Sequence, residues 1–83
     1  MNDKLLAVLT SLKELEADTQ IPKNVKIRIS QTIKILEENS EQSIKVSRAL
    51  CDLEELSEDV NIEAFTRTQI FNIVSMLETS NNQ

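Results

Sequence analysis

Two aspartates are the side chains best spaced for chemistry in this chain. Asp18 and Asp59 each stand three residues before an isoleucine, Ile21 and Ile62 respectively. A pair of carboxylates can serve as general acid and base or share a cation. Either role needs company, and the sequence supplies little. It has no histidine, a single cysteine and no Glu-x-x-His pattern. Ser–His and Cys–His catalysis within one chain, zinc ligation and a di-iron carboxylate bundle are therefore excluded. With no glycine at all, a Gly-rich phosphate loop is excluded too. An aspartate at a helix-to-helix corner has a simpler use: its carboxylate accepts the free backbone N–H groups of the following turn. We favour that structural role for Asp18, Ile21, Pro22, Asp59 and Ile62. An enzyme or metal protein using Asp18 and Asp59 is the alternative.

The remaining candidates are surface features. Cys51 projects away from the apolar face of its helix, near Arg48 and Glu55, and is read as a free thiol. Lys23, Lys26, Arg28 and Lys34 make the second helix locally basic, whereas Glu54, Glu55, Glu58 and Asp59 make the end of the third acidic. Such charges form a solvated exterior, or they steer a partner. Ile27 and Phe71 sit off the core stripes of their helices, Phe71 between Arg67 and Glu78. A partner surface of Ile27, Phe71, Lys23 and Lys26 follows, its occupant another protein or a second copy in a homodimer.

The elements that position these residues are helical. Glycine is absent and proline occurs once, so hairpin turns lack their usual residues. Aromatic residues make up 2% of the chain, which leaves an aliphatic core of Leu, Ile and Val. Eighty-three residues form one domain. The net charge of −5 argues against a grip on phosphates, leaving a nucleic-acid accessory role as the weaker alternative. One cysteine suits a reducing compartment. No signal peptide or membrane-length apolar run is present, so the expectation is a cytoplasmic protein without cofactor or membrane partner.

Apolar spacings of three and four place helices over about 3–17, 22–38, 41–57 and 62–79. The inward faces are Leu5, Val8, Leu9, Leu12 and Leu15; Val25, Ile29, Thr32, Ile33 and Leu36; Val46, Ala49, Leu50, Leu53 and Leu56; and Ile62, Phe65, Ile70, Ile73, Met76 and Leu77. Pro22 fits a first turn, Asn39 a left-handed helix end and Ser40 an N-cap. Residues 80–83 are expected to fray.

The chain also repeats. Residues 12–38 align without a gap on residues 53–79, at an offset of 41 positions that carries Leu12 onto Leu53, Asp18 onto Asp59, Ile21 onto Ile62, Ile29 onto Ile70 and Leu36 onto Leu77. Halves of about 1–39 and 40–79 each read as an antiparallel helical hairpin, since short connections make neighbours antiparallel. The expected fold is all-α, a four-helix bundle built from two repeated hairpins, neither able to cover its apolar stripe alone.

The segment from Asp18 to Lys26 (DTQIPKNVK), its echo Asp59-Val-Asn-Ile, and the ending from Arg67 to Glu78 (RTQIFNIVSMLE) resemble a family of small uncharacterised archaeal proteins over nearly the whole chain. The resemblance implies an all-α four-helix bundle without an assigned activity, and it brings no catalytic residues. Two positions depart from the family pattern. Glu63 stands where the second turn usually has proline, and Phe71 stands where a larger aromatic is common. The expectation is a small non-catalytic interaction or structural module.

Overall fold

The computed structural model describes residues 3–81, with side chains to Ser80. It contains four helices and, among these residues, no strand. They are α1 (Asp3–Glu16), α2 (Lys23–Glu37), α3 (Gln42–Ser57) and α4 (Ala64–Asn81). Each packs against two others. α1 lies against α2 and α4, and α3 lies against α2 and α4, whereas α1 with α3 and α2 with α4 face each other across the core. The assembly measures 32 × 19 × 19 Å, the length of its longest helix at about 1.5 Å per residue plus the corners. No helix among the described residues is long and apolar enough to cross a membrane.

The core is aliphatic, and many of its residues are buried in pairs that stand 41 positions apart in the chain. Leu5 and Val46, Val8 and Ala49, Leu12 and Leu53, Leu15 and Leu56, Ile29 and Ile70, and Leu36 and Leu77 are all buried. Leu50 and Met76, expected inside, are only partly buried and pack against the core from its edge. Burial at about 1.5–3 kcal/mol per large aliphatic side chain is what opposes the chain entropy.

Several expectations about helix ends and faces are corrected. Phe65, expected inward, is 70% exposed. Thr66, partly buried, stands one turn before Ile70 on the inner side of α4, as the buried Val25 stands before Ile29 in α2, and Phe65 is left on the outer side. Asn39 does not take a left-handed conformation, as no described residue has a positive φ. The chain leaves α2 one residue earlier, at Glu38, by going extended (φ −64°, ψ 150°), so a left-handed residue is not needed. Glu41, not Ser40, is the N-cap of α3, without a side-chain hydrogen bond; its carbonyl accepts the N–H groups of Ile44 and Lys45, each at 3.1 Å. Pro22 stands at the N-cap of α2, its carbonyl accepting Val25 N–H at 3.1 Å and Lys26 N–H at 3.0 Å. Of the tail expected to fray, Ser80 and Asn81 belong to the last turn of α4, where Ser80 is wholly buried; residues 82–83 lie outside the described residues.

Candidate functional site

The two aspartates build matching corners. Asp18 Oδ1 accepts Gln20 N–H at 2.9 Å, and Asp59 Oδ1 accepts Asn61 N–H at 2.8 Å. In both corners the carbonyl of the aspartate then meets the N–H of the isoleucine three residues on, Ile21 at 3.4 Å and Ile62 at 3.3 Å. Both isoleucines are 5% exposed. An aspartate bonding its own backbone two residues on is a local turn device. The corners lie at the same end of the molecule, where Asp18, Gln20 and Pro22 share a small cleft with Asn61, Ile62 and Glu63. Asp59 does not line that cleft. Among the described residues no group of three or more His, Cys, Asp or Glu side chains is placed to hold a metal ion.

The basic face of α2 is a groove. Lys23, Lys26, Ile27 and Lys34 line a depression of about 350 Å³ with Ser30, Gln31 and, from α1, Glu16. Glu16 accepts a hydrogen bond from Ser30 Oγ, which fixes the acid at the groove wall. Four cations elsewhere in the chain are engaged as follows. Lys13 pairs with Glu37 at 3.2 Å, Arg28 with Glu55 at 3.3 Å and Arg48 with Glu38 at 3.2 Å. Lys45 Nζ donates to the Glu38 carbonyl at 3.3 Å. Lys23, Lys26 and Lys34 have no ion-pair partner among the described residues, and Ile27 between them is 50% exposed.

Phe71 does not belong to that surface. It is 52% exposed, but it lies on α4, diagonal to α2 and out of contact with it. The four residues expected to form one partner surface therefore separate into a groove holding Lys23, Lys26 and Ile27, and a distant half-covered aromatic. Leu6, Ile44, Val60 and Phe65 are further exposed apolar residues, two of them at or just after the second corner. Val60 is 90% exposed in the second corner, and Phe65 is exposed in the first turn of α4. The residues 41 positions before Val60 and Phe65 are polar, Thr19 and Asn24. Cys51 is free and exposed.

A third region lies along the seam between α1 and α4. Ser11, Glu14, Asp18, Gln69 and Asn72 line a polar pocket of about 330 Å³. Gln69 Oε1 is buried there without a hydrogen-bond partner. Met76 continues from this pocket into a second, mostly apolar depression of about 260 Å³ that also touches Lys4, Ala7 and Thr79.

Comparison with known proteins adds a family but no activity. The model of an uncharacterised protein family, UPF0147, matches residues 1–80. A UPF0147 protein of Sulfurisphaera tokodaii is 34% identical over 77 residues, covering 92% of this chain and 86% of that protein. A relative in Methanocaldococcus jannaschii is 36% identical over 75 residues, covering 89% and 81%. Among solved structures, the crystal structure of the unknown-function protein MMP1188 superposes with a TM-score of 0.86 at 37% identity, covering 93% of this chain and 89% of that one.

Proposed function

The chain belongs to the uncharacterised family UPF0147, and from that premise we propose that it is a non-catalytic cytoplasmic interaction module that docks an acidic protein segment on the groove of α2. Its scaffold is a pair of duplicated antiparallel hairpins, a reading supported by the matched burial of equivalent residues and by the twin aspartate turns. The observation that carries the docking surface is the convergence of Lys23, Lys26 and Lys34, none of them ion-paired, around the half-exposed Ile27. Unpaired cations beside an apolar anchor suit a carboxylate-rich partner that also offers an apolar side chain. A second copy offers such carboxylates in the exposed Glu54 of α3 and Glu58 at its C-terminal cap. A protein partner fits better than nucleic acid, because the net charge is −5 and repels phosphates beyond the groove.

The test is a charge reversal, with Lys23, Lys26 and Lys34 changed to Glu in one variant and Ile27→Asp in another. Sedimentation across protein and salt concentration reads self-association, and recovery from the native lysate reads other partners. The expected result is association that weakens with salt in the wild type and drops about tenfold or more in both variants. Unchanged association in both would overturn the assignment.

A further inference from the structure

The seam between α2 and α3 is closed by guanidinium groups. Arg28 Nη2 lies 3.3 Å from Glu55 Oε2, and Arg48 Nη1 lies 3.2 Å from Glu38 Oε2. At the repeat offset of 41 positions, this seam maps onto the one between α4 and α1. Glu55 then falls on Glu14, and Arg28 falls on Gln69. The carboxylate is kept and the cation is lost. The second bridge is lost at both ends, with Ala7 in place of Arg48 and Thr79 in place of Glu38.

The pocket of about 330 Å³ described above lies at this position, where Glu14 and Gln69 both line it. Glu14 has no ion pair among the described residues, although its repeat equivalent Glu55 has one. Gln69 Oε1 is a buried acceptor with no donor, a state whose desolvation penalty an incoming N–H would remove. Asp18 spends Oδ1 on its own turn and adds a second carboxylate to the wall.

We propose that this pocket binds a guanidinium group brought by a partner polypeptide, an arginine side chain taking the place that Arg28 fills from within on the other seam. A guanidinium is planar and carries five N–H donors, enough to bond the Glu14 carboxylate and, once the Gln69 side chain turns outward, its carbonyl as well. The adjoining apolar depression with Ala7 and Met76 receives an apolar side chain next to the arginine. The site is independent of the α2 groove, which has the opposite charge preference.

Amide shifts of the isotope-labelled protein on titration with ethylguanidinium, with ethylurea as the neutral isostere, test the proposal. Saturable shifts at Ser11, Glu14, Gln69 and Asn72 with ethylguanidinium alone are expected. Glu14→Gln, at an exposed position that leaves folding intact, should weaken them about tenfold or more. Gln69→Arg should remove them by supplying the missing guanidinium internally. N-acetyl-Leu-Arg-amide should bind more tightly than ethylguanidinium. Equal response to ethylurea, or shifts indifferent to Glu14→Gln, would overturn the site; equal affinity for the dipeptide and ethylguanidinium would overturn its assignment to a polypeptide.

Discussion

Arg67 ties the second corner together through three backbone carbonyls. Its Nε donates to Ser57 O at 2.8 Å, and its Nη2 donates to Asp59 O at 2.9 Å and Ile62 O at 3.3 Å. These acceptors include the negative end of α3, where a cation is favoured. The first corner has Lys26 at the equivalent position and relies on Pro22, whose ring fixes φ; the second has Glu63 in place of that proline. One corner is held by a covalent ring and the other by a forked donor. Arg67→Ala should therefore lower stability by about 1.5–3 kcal/mol, the value of hydrogen bonds involving a charged group. At about 4–8 °C per kcal/mol for a domain of this size, thermal denaturation followed by circular dichroism will resolve the loss. Arg67→Lys should recover less than half of it, because an ammonium does not span the three carbonyls as a fork does.

Helix α4 shows what hydrophobicity and position each decide. Its inner face is Ile70, Ile73 and Leu77, all buried, and the polar Thr66 continues that face while Phe65 points out. Leu53→Ala, in the fully buried stripe of α3, should cost about 2–5 kcal/mol in urea denaturation, and Phe65→Ala should stay within about 0.5 kcal/mol. Equal costs would show that Phe65 packs after all. The helices and most of the core were legible because spacings of three and four leave little freedom in a Gly-free chain. The exposure of Phe65 was not legible because its apolar character outweighs the polar identity of Asn24, 41 positions earlier. The ends of α2 and α3 were misread because Asn39 and Ser40 have strong local preferences, while the chain turned with extended backbone at Glu38 and Glu41. Part of the α2 groove was visible as a run of lysines. That these lysines lack partners was not, since pairing depends on which acids the neighbouring helices present. The separation of Phe71 from Ile27 was likewise invisible in two helical wheels drawn apart, because it is a property of the diagonal placement of α2 and α4.

At the scale of the molecule, every helix packs against two neighbours. Peptides spanning 1–39 and 40–83 should each give little helical signal by circular dichroism, and mixing them should restore it. Strong helicity in either half alone would contradict a shared core. The four seams are unequal, however. Lys13–Glu37 spans α1 and α2, Arg28–Glu55 spans α2 and α3, and Arg67 fastens α4 to the end of α3. The seam between α1 and α4 has no ion pair among the described residues, holds two depressions and joins the helices farthest apart in the chain. Its closure carries the longest loop. The expected order of disassembly is that α1 peels from α4 first, as a partial opening, while α2 and α3 stay zipped. Backbone amides facing that seam should exchange with solvent through fluctuations smaller than global unfolding, and a ligand that stitches α1 to α4 would slow that exchange selectively.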